Sequence, residues 1–341
     1  MAGTTQPVLG GIALLVLTGA VAATLGPARI PLDVQGLILA SHLPFVHVVP
    51  TWPASYEAVL FDIRLPRVVL AALTGAALAV AGATYQGLFR NPLADPYLLG
   101  IASGAGLGAV LAFVLPFPAL LYGIGIVQIL AFVTALCTAG LVYWLARVGR
   151  ITPLTTLLLA GIAIGAFASA LTAYLMYANG EKLFVIYSWM LGGFNGATWQ
   201  QVAVITPYVL VGGTIIALSG RVLNVLQLDE EQAASLGVNV ERAKLGLVAA
   251  ATLATAAAVS VSGLIGFVGL MVPHFVRLLF GPDHRRLVPL VALFGAAFLV
   301  AADAIARGLL GASEVPVGVV TAACGAPFFL HVLRRQKRNV F

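Results

Sequence analysis

No charged residue lies between Asp95 and Arg147; the run is built mainly of Gly, Ala, Leu and Val. One helical crossing of a bilayer needs about 20 apolar residues, so this run suffices for two, and Pro116 and Pro118 divide it. A soluble domain has no use for so much uninterrupted apolar chain. The composition agrees: 61% of residues are hydrophobic and 9% charged, with mean hydropathy +1.04, where a typical globular chain carries about 25% charge. The apolar runs are continuous rather than alternating in ~10-residue segments, which excludes a membrane β-barrel. The fold class is all-α, polytopic. Gly104 with Gly108 and Gly161 with Gly165 have GxxxG spacing. Small residues let helices approach closely where burial against lipid drives nothing.

The hydropathy pattern predicts about ten spans in a single transmembrane domain over 1–341. They fall near 8–26, 65–88, 96–115, 119–146, 153–177, 198–218, 243–261, 264–280, 287–307 and 315–333. The opening MAGTTQPVLGG lacks a basic stretch, so the first run reads as a retained span. Residues 27–63 read as an external segment with a short amphipathic helix near 32–40, and a short helix is expected at 183–190. Residues 221–242 form the largest polar insertion. Ten spans put both termini on one side. That side also holds the 221–242 loop and most of the 18 Lys and Arg, so by the positive-inside rule it is the cytoplasm of a multi-pass cell (inner) membrane protein. Gly/Ala-rich helices reach GLFRNP in the first half and GLMVP in the second, five spans apart, which suggests inverted-repeat halves.

The formal charge of +6 is spread along the loops rather than gathered in a stripe, so no nucleic-acid partner is expected. Cys137 and Cys324 stand alone in apolar runs and give neither disulfide nor metal cluster. GAGLGA and GGFNG are not nucleotide-binding fingerprints, and none of the lysines (Lys182, Lys244, Lys337) follows a glycine, so no phosphate-binding loop exists. HExxH and GxSxG are absent, and no catalytic residues are assigned. Ion-driven carriers place charge in mid-span. Here Asp303 lies four residues before Arg307, where an i,i+4 pair neutralises it. An external motor fits better than the alternative, an ion-gradient-driven carrier or channel. His42 and His47 read as solvated loop residues, with a haem or metal role conceivable, and His274 is given no chemistry.

RLPR at 64–67 and GAALAVAGATYQGLFRNPLADPYLLG after it resemble the permease subunits of ABC importers for iron–siderophore complexes, haem and cobalamin, the FecCD-type family. The likeness covers roughly residues 56 to 335. It implies a type II importer permease that pairs with a second copy, two ATP-binding subunits and a substrate-binding protein within membrane lipid. ATP and Mg would sit on the partner ATPase, and this chain would hold no cofactor. By the same resemblance, Arg64, Arg67 and Arg307 dock carboxylates of the binding protein, with the Arg64 and Arg67 head groups expected in the outer water. Asn91, Thr155 and Thr156 form a cytoplasmic gate. Leu228, Asp229, Glu230, Glu231, Ala234, Leu236 and Gly237 make the loop that couples to the ATPase. The plain alternatives are headgroup contact, an Asn-Pro turn and a solvated loop. YSWMLGGFNGATW looks closer to cobalamin permeases than to siderophore ones, but the resemblance leaves cobalamin, ferric siderophore and haem all open.

Overall fold

The computed structural model describes residues 2–26, 30–42, 48–121, 123–308 and 314–338. His47 lies outside them. Most of the described chain is helical. Seven helices are long and apolar enough to cross a membrane, and shorter apolar helices at Ile101–Val114, Val268–Phe280 and Val317–Val332 bring the candidate crossings to about ten.

The helices, in order, are α1 (Ala2–Thr24), α2 (Leu32–Ser41), α3 (Ala54–Ala58), α4 (Leu65–Leu88), α5 (Ile101–Val114), α6 (Ile126–Ala146), α7 (Leu154–Ala178), α8 (Leu183–Met190), α9 (Trp199–Leu218), α10 (Gly220–Val225), α11 (Glu230–Ser235), α12 (Val240–Ser262), α13 (Val268–Phe280), α14 (His284–Gly308) and α15 (Val317–Arg338). A wide π-turn at Val59–Arg64 joins α3 to α4, so one helical rod runs through residues expected to be loop. Pro66 explains the turn. Its ring displaces the preceding carbonyl and it offers no N–H, and a π-turn absorbs that mismatch without ending the helix.

The core is the crossing of α4 with α12 and α14. In α4 and α12, 72% of the span window is buried, against 17% in α1 and α7. Small residues let α13 and α14 come close against α4. A Cβ on Gly82 would run into the Gly269 backbone, and one on Gly75 into that of Gly295. The two long central helices are also followed by similar breaks. A left-handed residue, Gly100 (φ 73°) or Phe267 (φ 68°), precedes a short helix of 14 residues (α5) or 13 residues (α13). The spans expected at 96–115 and 264–280 are therefore shorter than expected.

Candidate functional site: two polar clusters at the ends of α4

At the N-terminal end of α4, five charged side chains meet. Arg67 grips Asp303 through Nε (3.0 and 3.1 Å) and Nη2 (2.9 Å), and reaches Glu314 through Nη1 at 2.9 Å. The fork geometry of guanidinium and carboxylate makes this a strong, oriented pair. Arg307 pairs with Asp303 at 3.2 Å and donates from Nη1 to the Leu25 carbonyl at 2.8 Å. Arg64 donates to the carbonyls of Ala23 (2.6 Å) and Thr24 (3.3 Å). These carbonyls are the ones α1 leaves unsatisfied at its C-terminus, where a cation is favoured by the helix dipole. Arg64 and Arg307 thus cap α1. Their burial (4% and 7% exposed) corrects the expectation that the Arg64 head group reaches water. The Asp303–Arg307 pair forms, but Arg67 is the stronger partner of Asp303, and the 236 residues between them hid this in the sequence. Glu314, 26% exposed at its side chain, sits at the rim.

At the other end, about 36 Å away for 24 residues of helix, α10 and α11 form a pair of short helices. Leu228, Asp229, Glu230, Glu231, Ala234, Leu236 and Gly237 are all exposed there, while Ala233 between them is fully buried. Gly237 closes α11 at φ 84°, a left-handed turn that strains any residue with a Cβ. Three links tie this pair to its surroundings. Arg90 Nη1 meets Asp229 at 2.9 Å. Gln227 Nε2 donates to the Gly87 carbonyl at 2.7 Å. Asn224 Nδ2 donates to Asp283 at 2.6 Å while its Oδ1 accepts from the His284 backbone N–H at 2.9 Å. The Asn224 bond, with the Arg285 N–H, holds the Asp283 carboxyl below its usual range.

Asn91 is exposed and its Oδ1 accepts from the Leu93 N–H at 2.9 Å, so the turn after α4 is side-chain-stabilised. Thr155 is exposed at the start of α7, and Thr156 Oγ1 donates to the carbonyls of Ala146 and Pro153, both at 2.8 Å. Beside these turns a groove of about 550 Å³ opens between α5 and α7, lined by Asp95, Tyr97, Gly161, Gly165 and Ser169. Asp95 is partly open to the groove yet packed round by protein. Burial pushes its carboxyl up to about 6, against the opposing pull of the hydrogen bond from the Tyr97 N–H. Elsewhere, His42 Nδ1 faces the Ile38 carbonyl at 3.0 Å and its ring packs on Phe61. No group of three or more metal-binding side chains occurs among the described residues.

Sequence reasoning missed Lys244, which is 3% exposed. Its ammonium meets Glu230 at 2.8 Å, Glu241 at 3.0 Å and the Thr152 carbonyl at 3.3 Å. Glu241 Oε2 also accepts from the Thr152 N–H at 2.9 Å. The available signal was a Glu and a Lys three residues apart on one helix face, at the mouth of an apolar span.

The FecCD transport family matches residues 13–335. The cobalamin import system permease protein BtuC of Halobacterium salinarum is 43% identical, over 95% of this chain and 94% of its own length. The hemin transport system permease protein HmuU of Yersinia pestis is 45% identical, over 82% of this chain and 84% of its own. Among solved structures, a transporter described as of the metal-chelate ABC type, in an inward-facing conformation, superposes with TM-score 0.82 at 31% identity, covering 96% of this chain and 98% of that one.

Proposed function

Because the chain belongs to the FecCD transport family, we propose that it is the permease through which an ABC importer brings a metal chelate into the cell. The observation that carries this reading is the exposed helix pair α10–α11. Its acidic and apolar side chains face outward, while Asn224, Gln227 and Asp229 anchor it to α14 and α4. Such a surface suits a separate motor subunit, which would hold ATP and Mg. The helix-pair end is then cytoplasmic, as are both termini, and the Arg67 end faces outward across the cell (inner) membrane.

On this reading the two copies of the permease meet along weakly buried faces such as that of α7, where Leu159, Ile162 and Phe167 are exposed. Asn91, Thr155 and Thr156 gate the pathway between the copies at its cytoplasmic end. The binding protein docks over the rim formed by Arg67 and Glu314, with Arg64 and Arg307 seated beneath it. The cargo is a metal chelate of the cobalamin, haem or ferric-chelate kind, since relatives named for cobalamin, hemin and Fe(3+)-citrate all align along most of the chain.

Reconstitution tests the reading. Liposomes holding this chain with its ATP-binding subunits and binding protein are expected to accumulate cyanocobalamin or haemin only with ATP, each probe supplied in a separate assay. The assembled complex should show two permease copies by native mass. Uptake by the chain alone on a proton or sodium gradient would establish the carrier alternative instead.

A further inference from the structure

Lys244 sits where three separate pieces of chain converge: α11 through Glu230, the first turn of α12 through Glu241, and the loop 151–153 through Thr152. An ammonium has three protons to donate, and these three acceptors match them. Burial makes the arrangement consequential, because a lysine almost never loses its water unless it is paired. Glu241 completes the circuit: one carboxylate oxygen takes the Lys244 ammonium and the other the Thr152 N–H. Both backbone polar groups of Thr152 are therefore held from the α11–α12 side, and Thr152 is itself buried at 2% exposure.

Thr152 lies immediately before Pro153 and the start of α7. Thr156 then ties that start back to Ala146 and Pro153. Residues 152–156 consequently behave as one hydrogen-bonded unit. A displacement of α11 carries Glu230 with it. Either the ammonium follows, drawing on the Thr152 carbonyl, or a short charge-assisted bond is lost. No comparable buried cation links α11 to the loop among the described residues.

We propose that Lys244 is the positioning residue that relays movement of α11, through the loop 151–153, to the first turn of α7 that bears Thr155 and Thr156. The inference rests on the importer reading above, in which α11 meets the motor and those threonines belong to the gate. It adds the residue that connects them.

The test uses the assembled complex with its ATP-binding subunits, with Cys137→Ser and Cys324→Ser as background and Thr155→Cys as reporter. The rate of modification by a water-soluble maleimide is measured without nucleotide and with ATP plus vanadate. With Lys244 present, the two rates should differ at least about fivefold, the lower end of ordinary coupling factors. Lys244→Met should bring the ratio close to one while the complex still co-elutes intact, and Lys244→Arg should restore most of the difference. A residue that merely stabilised the fold would change assembly or thermal unfolding without abolishing the nucleotide dependence. Glu230→Gln keeps a hydrogen-bonding oxygen but removes the charge; it should reduce the ratio part-way, and it decides the matter if Lys244→Met fails to assemble. A ratio unchanged in Lys244→Met, or in Glu230→Gln where that variant decides, overturns the relay alone. A ratio of one with Lys244 present overturns the gate assignment, and the relay falls with it.

Discussion

The two ends of α4 use the same chemistry to opposite effect. At the Arg67 end, three arginines and two carboxylates join α1, α4 and α14, elements already packed together, and their central carboxylate, Asp303, is 1% exposed. At the Lys244 end, one buried cation joins a short exposed helix, a loop and the first turn of a span, and its partner Glu230 is 47% exposed at the side chain. A network among long helices has nowhere to go and acts as a fastening. The same bonds between short, weakly buried elements can follow one of them when it moves. Ion pairs thus take their role from the rigidity of what they connect.

The largest effect expected from this contrast belongs to Asp303→Ala. It strips the buried counter-charge from Arg67 and Arg307, and breaking such a pair from one side costs roughly 3–5 kcal/mol. Thermal unfolding in detergent should show a large loss of stability. A loss below about 1 kcal/mol would mean that the Arg67 end is as loose as the other.

Lys244→Met should cost less, about 1–3 kcal/mol for hydrogen bonds to a charged group, because the two carboxylates it abandons remain near water. The same unfolding measurement ranks the two variants. If Lys244→Met proves the more damaging, the fastening lies at the wrong end.

Glu314→Gln should change stability by about 1 kcal/mol or less, since a rim pair is weak. It should nonetheless tighten docking of the binding protein several-fold, because Arg67 would no longer share its guanidinium with Glu314. Surface plasmon resonance at two salt concentrations reads both the affinity and its screening over about 8–10 Å. Weaker docking would place Glu314 among the contacts to the partner instead.

The smallest effect concerns a carboxylate outside both clusters. With the folded-state value of Asp95 raised to about 6, its neutral form is the one favoured by folding. That contribution is fully present below pH ~4 and is lost as pH rises through about 6. Asp95→Asn keeps an acceptor for the Tyr97 N–H, so between pH ~4 and ~6 the parent should lose stability relative to this variant. Parallel slopes in the two unfolding series would show that Asp95 ionises freely.

The sequence by itself determined the class of the molecule. Long uncharged runs allow only a bundle of membrane helices, because backbone groups in lipid must be satisfied within the segment. Local chemistry was legible too: α8 falls where the residues predicted a short helix, and Gly237 turns the chain within the polar insertion. RLPR and RNPLADP were visible as polar clauses bounding an apolar run. The partners of those clauses were not visible. Arg67 with Asp303, Arg64 with the end of α1 and Lys244 with Thr152 are separated by 236, 41 and 92 residues, and charge pairing carries no periodicity that reports such distances. Only the tertiary crossings bring these partners together, that of α4 on α14 for Arg67 and Asp303, where Gly75 meets Gly295. Those crossings also decided which arginines would be buried.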